Sequence, residues 1–214
     1  MWKDLTEPWR ECLKQAWKSY KKGTFPIGAV ITNESGTVIA SGRNKVYENK
    51  TIQGQICSNK IAHAEINAIL KINNLETNTE TKNYTIYSTM EPCPLCFGAI
   101  VMSGIRTVNF GARDQVAGGT NLVNGNEYIA SKSMKIEGPF LDIELFQFVL
   151  KTDFTIRRGH HVERLLNSWE NDCPIGVAIG RDCYETNKLQ EAVKLEAPIE
   201  VIYDELMQEA SLRN

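Results

Sequence analysis

The chain has 214 residues, of which 42% are hydrophobic and 8% aromatic, and its formal net charge is −2. This length fits one domain or one domain with an extension, and the composition is typical of a globular protein. It contains no run of about 18 apolar residues, and the charged N-terminus lacks the apolar core of a signal peptide, so we expect a cytoplasmic protein with no membrane partner. The near-neutral balance also differs from that of proteins that hold a folded RNA through many phosphate contacts.

Apolar periodicity predicts alternating helices and strands over the first three quarters of the chain. Trp9 and Trp17 fall on the apolar face of the first helix, so we expect both in the core. In chain order, the predicted elements are a helix over 4–21, strands over 27–32 and 37–41, a helix over 62–72, a strand over 84–89, a helix over 93–103, strands over 105–110 and 134–137, and a helix over 141–151. This order predicts a three-layer α/β/α fold with a central mixed five-stranded sheet.

Two segments do not follow this alternation. Residues 45–60 are polar and long for a simple connection, and either cover a small substrate at the pocket rim or form an inert surface insertion. Residues 159–214 carry 5 Lys and Arg against 11 Asp and Glu. They read as mainly helical, with a short strand or turn-rich segment at residues 175–180. We therefore predict a domain over 1–158 and a mainly helical C-terminal extension of unknown role over 159–214.

Two short stretches supply one imidazole, two thiols and a carboxylate that is not needed as a ligand. They are Ile61-Ala62-His63-Ala64-Glu65 and Glu91-Pro92-Cys93-Pro94-Leu95-Cys96. Zinc takes nitrogen and sulfur ligands in a tetrahedron, and a catalytic zinc keeps one position open for water. The sequence therefore predicts one zinc ion bound by His63, Cys93 and Cys96, with Glu65 beside it as the proton carrier.

The spacing of these residues restricts how they meet. Cys93 and Cys96 are three residues apart, so they lie on one face of a first helical turn. His63 and Glu65 are two apart and converge only if the metal lies ahead of a helix start, so we expect two helices to point their N-termini at one ion. A Cys-x-x-Cys pair alone is also typical of a redox pair or a structural zinc site, but neither explains the His-Ala-Glu motif.

Together the two motifs resemble those of the zinc-dependent cytidine deaminase-like superfamily. The resemblance covers roughly residues 20 to 158 and is nearest to the tRNA adenosine deaminase and guanine deaminase branches. The stretches at residues 26–31, 42–44 and 108–114 are similar to the former branch. The resemblance implies an aminohydrolase with one zinc ion per chain, and assembly as a homodimer.

The resemblance also implies substrate contacts. Asn44 corresponds to an asparagine that hydrogen-bonds the base, although an asparagine here is also typical of a turn. Phe25, Ile27 and Met90 are expected beside the base, where ordinary core packing is the alternative, and the backbone N–H of Ala64 is expected to face the substrate or the metal-bound water. Glu91 is interpreted as a residue that fixes ligand geometry rather than as a catalytic group.

The predicted reaction is hydrolytic deamination of an exocyclic amine of a nucleobase, with Glu65 as proton carrier. The low positive charge, the loop over 45–60 and the acidic extension favour a free purine base or nucleoside of the adenine or guanine type. Deamination of adenosine-34 of tRNA to inosine is the alternative, favoured by the match at residues 110–114, and cytosine or cytidine comes third. A zinc-binding interaction module without activity is the rival from another class.

Overall fold

The computed structural model describes residues 1–49, 54–73, 75 and 80–213. Its five strands are β1 (Gly28–Thr32), β2 (Val38–Arg43), β3 (Thr85–Met90), β4 (Thr107–Ala112) and β5 (Lys135–Glu137). They form one sheet in the order β2-β1-β3-β4-β5, in which β1 runs antiparallel to β2 and β3, whereas β3, β4 and β5 are parallel. The predicted mixed five-stranded sheet is confirmed.

Helices cover both faces of this sheet. Over the first 158 residues the described helices are α1 (Glu7–Lys21), α2 (Ala64–Ile69), α3 (Pro94–Met102), α4 (Leu122–Gly125), α5 (Glu127–Ala130) and α6 (Leu141–Arg158). The apolar cluster of one face contains residues of α1 and α6, and that of the other face contains residues of α2 and α3. The α/β fold with three layers is therefore confirmed, and its two helix layers meet the sheet from opposite sides.

Helix α1 lies close against the sheet because a glycine faces it. A Cβ atom on Gly28 would lie 2.1 Å from the carbonyl oxygen of Cys12. Trp9 and Trp17 of α1 are 6% and 3% exposed and belong to the core, as predicted. Burying side chains of this size is a dominant favourable term in folding.

Four further helices follow residue 158 within the described chain: α7 (Val162–Glu170), α8 (Pro174–Thr186), α9 (Lys188–Lys194) and α10 (Ile199–Ser211). The prediction of a short strand or turn-rich segment at residues 175–180 is wrong, because this stretch lies within α8. Its two glycines are four residues apart and face α6, where a Cβ on Gly180 would lie 2.5 Å from the Cβ of Thr152. These glycines serve close helix packing rather than a turn.

Several element ends also differ from the predictions. Helix α1 begins at Glu7, after a 3-10 turn at Trp2–Asp4, and α2 is shorter than the predicted helix over 62–72. After Leu70, the amides of Lys71 and Ile72 bond to carbonyls three residues earlier, which ends the α-helical pattern. Residues 50–53 of the loop over 45–60 lie outside the described residues. No helix in the described ranges has the length and apolar character needed to cross a membrane.

Candidate active site

The candidate metal ligands meet where two helices begin. His63 directly precedes α2, Cys93 directly precedes α3, and Cys96 lies in the first turn of α3. His63 Nδ1 lies 3.3 Å from Cys96 Sγ and 3.5 Å from Cys93 Sγ, and the three ligand atoms lie within 4.8 Å of one another. A tetrahedral zinc ion with bonds of about 2.05 Å to nitrogen and about 2.3 Å to sulfur separates such atoms by about 3.6 Å. The three side chains therefore fit one zinc ion.

The electrostatics of this group favour a thiolate at one sulfur. Hydrogen bonds from Cys96 and His63 lower the pKa of Cys93 to about 4, against the opposing effect of burial. The hydrogen bond with Cys93, together with burial, raises the pKa of Cys96. Because a thiolate rather than a thiol binds metal, the lowered pKa of Cys93 favours the metal-binding form of this ligand.

Glu65 is a buried carboxyl, 4% exposed, next to these ligands. Its Oε1 accepts a hydrogen bond from Ser88 Oγ at 3.0 Å, and its Oε2 lies 3.4 Å from Cys96 Sγ. Burial raises the pKa of Glu65 above its ordinary value, and the charge of His63 opposes that shift. A carboxyl with a raised pKa is a stronger base and is therefore suited to take up a proton and pass it on.

A cavity of about 230 Å³ opens over this group. His63, Glu65 and Cys93 contribute to its wall, whereas Cys96 lies behind them and does not line it. The remaining lining residues are Phe25, Ile27, Asn44, Met90, Glu91, Asp114, Val116, Ala117, Lys151, Thr155, Leu165 and Trp169. Small-molecule sites are typically concave and mostly apolar with a few placed polar groups, and this cavity is slightly smaller than their usual range of about 300–1,000 Å³.

The side-chain amide of Asn44 has a fixed orientation in the cavity wall. Its Oδ1 accepts hydrogen bonds from Thr24 Oγ1 at 2.7 Å and from the backbone N–H of Val46 at 3.1 Å. A backbone N–H can only donate, so this contact identifies the oxygen of the amide. Among the described residues Nδ2 has no acceptor. The amide therefore offers the cavity an N–H donor.

The other predicted substrate contacts divide into two groups. Phe25, Ile27 and Met90 line the cavity together with Asn44. Ala64 is the first residue of α2, and its fully buried side chain belongs to an apolar cluster rather than to the cavity wall. Contact of these residues with a substrate stays a prediction.

Glu91 ties the metal-binding segment to the loop after β4. Its carboxylate accepts hydrogen bonds from the backbone N–H of Asp114 at 3.1 Å and of Thr120 at 3.3 Å. In the same loop, Gly119 donates its N–H to the carbonyl of Pro92 at 2.8 Å. A Cβ on Gly119 would lie 2.6 Å from the nitrogen of Pro94, so the loop lies against the Cys-x-x-Cys backbone. Sequence analysis gave this loop no role, although adjacent glycines are a signal of close backbone approach.

Four cavity residues after residue 150 were also missed. Lys151 and Thr155 come from α6, and Leu165 and Trp169 come from α7 in the predicted extension. The periodicity of Leu165 and Trp169 indicated only a buried helix face, and nothing in the sequence shows which pocket such a face borders. The extension therefore contributes directly to the cavity wall.

The region that matches a known protein family includes the candidate metal ligands. Residues 3–112, about half of the chain, match the family described as the cytidine and deoxycytidylate deaminase zinc-binding region. The chain belongs to this family. Its matched region contains all three candidate zinc ligands and Glu65, so the family assignment and the zinc-compatible geometry rest on the same residues.

The similar deaminases differ in the substrate that their names give. A tRNA-specific adenosine deaminase of Streptococcus pyogenes serotype M18 is 38% identical over 112 residues, which is 52% of this chain and 65% of the relative. A cytosine deaminase of Candida albicans is 34% identical over 119 residues, 55% of this chain and 73% of the relative. The chain thus spans slightly less than two thirds of the streptococcal tRNA-specific enzymes.

The fold has a solved counterpart. A guanine deaminase from Nitrosomonas europaea is 22% identical, covers 71% of this chain and 86% of its own, and superposes with a TM-score of 0.55. This likeness supports the deaminase fold. The three relatives together leave the base unassigned.

Proposed function

We propose that the protein is a zinc-dependent hydrolytic deaminase that acts on an exocyclic amine of a free purine base or nucleoside. The observation that carries this proposal is the cavity in which Glu65 stands beside a three-ligand zinc group, with a fixed amide donor in its wall. When bound, zinc supplies a Lewis acid that activates water at neutral pH. Deaminase relatives and the family assignment support the same class of reaction.

Hydrolysis exchanges an amine for an oxygen on one ring carbon. The oxygen of water adds to that carbon, the carbon–nitrogen bond breaks, and ammonia leaves. Glu65 carries the two protons of the water in turn: the first goes to the ring nitrogen and the second to the departing amine, while the Ser88 hydroxyl holds the other carboxyl oxygen in place. Asn44 orients the ring through its Nδ2 donor. The buried setting of Glu65 keeps bulk water from competing for these protons.

A small substrate is supported by what closes the cavity. Leu165 and Trp169 of the extension line it, and the extension is acidic. We therefore propose that residues 1–158 carry the chemistry and that residues 159–214 complete the pocket for a small ligand. The net negative charge of the extension also disfavours a phosphate backbone.

Deamination of adenosine-34 in tRNA is the second candidate, and one feature favours it. A second cavity shares Phe25, Thr155 and Leu165 with the first and is lined by Arg158, His160 and His161. Arg158 also lies 3.9 Å over the ring of Tyr47, so a cation and an aromatic face are present together. Such a pairing can hold a phosphate and a flanking base of a single strand. The names of the streptococcal relatives point the same way.

An ammonia-release assay separates these candidates. Zinc-loaded protein is given guanine, adenine, cytosine, their nucleosides, and a tRNA whose anticodon begins with adenosine, with Glu65→Gln protein as the inactive control. Turnover of free purines supports the first choice. Turnover confined to the tRNA would overturn it in favour of the second, cytosine-only turnover would favour the third, and no turnover at all would leave a zinc-binding module. A homodimer and a cytoplasmic location stay predictions.

A further inference from the structure

Lys151 is a buried lysine in the wall of the candidate active-site cavity. The residue is 8% exposed and lies on α6, which packs on the sheet face opposite α2 and α3. The zinc group stands at the starts of α2 and α3. The ammonium and the zinc group therefore reach one cavity from opposite helix layers.

The contacts of this ammonium leave donor capacity unused. Lys151 Nζ lies 3.5 Å from Asp114 Oδ2, 3.6 Å from the Met90 sulfur and 4.5 Å from the ring centroid of Trp169. A hydrogen bond between an ammonium and a carboxylate is normally about 2.7–2.9 Å long, and a thioether is a weak acceptor. Three N–H groups thus share one distant oxygen among the described residues, in a largely apolar wall.

The position of Lys151 is nevertheless well defined. Asp114 Oδ1 accepts the backbone N–H groups of Val116 and Ala117 at 3.1 and 3.0 Å, which fixes the carboxylate in its turn. The Trp169 ring, from α7, limits the ammonium on another side. Burial lowers the pKa of Lys151, while the charge of Asp114 opposes that shift and favours the ammonium form. An ammonium held in this way is suited to donate a hydrogen bond to a bound ligand.

We propose that Lys151 determines substrate specificity by donating a hydrogen bond to a carbonyl oxygen of the base, so that the cavity selects an oxopurine of the guanine type. This inference rests on the proposed function above and narrows its substrate class. Asn44 Nδ2 and Lys151 Nζ are both donors, and the ring nitrogens of either purine can accept from them. Only guanine also has the carbonyl oxygen O6, which together with N7 is the usual contact of an ammonium, whereas adenine has an amine donor in its place.

The wild-type enzyme provides the first test. Guanine and 2-aminopurine carry the same amine, but only guanine has the carbonyl oxygen. A charged hydrogen bond to that oxygen should favour guanine roughly 10–100-fold in kcat/KM. Equal values for the two bases, or turnover confined to adenine, adenosine or an anticodon adenosine, would overturn the inference whether or not any variant folds.

Lys151→Met provides the second test, since it removes the ammonium and keeps the length of the side chain. Lys188→Met is the matched control, because it removes an ion-paired lysine outside the cavity wall. With zinc content unchanged, guanine should lose roughly 10–100-fold in kcat/KM, mainly through KM, and 2-aminopurine should lose much less. Lys188→Met should keep the wild-type values for both bases. Equal losses for both bases would indicate a purely structural lysine and sink the proposal.

The two proposals can fail separately. If zinc-loaded wild-type protein deaminates guanine and 2-aminopurine with equal kcat/KM, the proposed function stands and the role of Lys151 does not. If no base is turned over, the proposed function fails. The affinities of guanine and 2-aminopurine for the wild-type and Lys151→Met proteins, measured by calorimetry, then test the role of Lys151 alone. We expect Lys151→Met to weaken guanine binding more than 2-aminopurine binding. Equal effects on the two bases would contradict the proposed hydrogen bond.

Discussion

Glu65 is the carboxyl on which the proposed proton transfer depends. Glu65→Gln keeps the size of the side chain and an oxygen for the Ser88 hydroxyl, but it cannot accept a proton. We expect kcat to fall about 10²–10⁴-fold while bound zinc stays at one ion per chain. Turnover and metal content measured on the same sample check this. Glu144→Gln, at a buried glutamate outside the cavity, is the control. Zinc lost along with turnover would contradict the assigned role.

Lys151 also has a consequence for stability. Burial lowers its folded-state pKa below the ordinary value of 10.5. Between the two pKa values the unfolded chain binds more protons than the folded one, so the free energy of unfolding of the wild type rises with pH across that interval. Lys151→Met lacks this rise. The free energy of unfolding of Lys151→Met relative to that of the wild type, measured with denaturant, should therefore decrease as pH increases toward 10.5. A difference in unfolding free energy that does not change with pH would contradict the lowered pKa of Lys151.

At this scale, chemistry-bearing residues could be predicted where a motif constrains them. The sequence placed His63, Cys93 and Cys96 together because few arrangements other than a metal site use those residue types at those spacings. Lys151 carries no such signal, since a lysine among apolar residues of a helix looks like an exposed position. Its burial depends on α7, whose placement follows from tertiary packing rather than from local pattern.

At the scale of elements, the loop after β4 supports the metal-binding segment. Gly119→Ala adds a Cβ where the nearest backbone atom would lie only 2.6 Å away, so either the loop or the start of α3 must shift. Changes just outside the ligand set typically cost about 10–100-fold in metal affinity, and we expect a loss of that order in zinc competition titrations. Gly125→Ala is the control, because a Cβ there meets nothing within 4 Å. Equal affinities for both variants would contradict this support role.

Strands and long helices were predictable because their apolar periods are regular, as in β1, β3 and α1. Helix α8 was not, because its Ile-Gly-Val-Ala-Ile-Gly stretch combines residues typical of strands and turns. Only the partner helix explains it: Gly176 and Gly180 lie on one face and let α8 approach α6 closely. A local sequence pattern can predict a helix, but it does not show which surface that helix packs against.

For the whole molecule, the two ends of the chain share one core. The cluster that contains α1 and α6 also contains residues of α8, α9 and α10. Phe146 packs against Tyr203 with ring centroids 5.1 Å apart, and the backbone N–H of Trp2 donates to Asp204 at 2.5 Å. The predicted boundary at residue 158 therefore runs through a continuous apolar cluster. Trp169 of the cavity wall belongs to a second cluster, which also joins the two sides of this boundary because it contains Phe148 of α6.

Removal of residues 159–214 tests this coupling. The deletion strips buried side chains such as Ile179, Leu206 and Tyr203 from the shared core, each worth about 1.5–3 kcal/mol. Their sum is comparable to the whole stability of a typical domain, so we expect the 1–158 fragment to lose its cooperative thermal transition. Deletion of residues 212–214 is the control, because the described residues that it removes, Leu212 and Arg213, are exposed and the ion pairs of Arg213 lie at the surface. A fragment that melts like the full chain and still releases ammonia from guanine would show that the extension is dispensable for both folding and pocket closure.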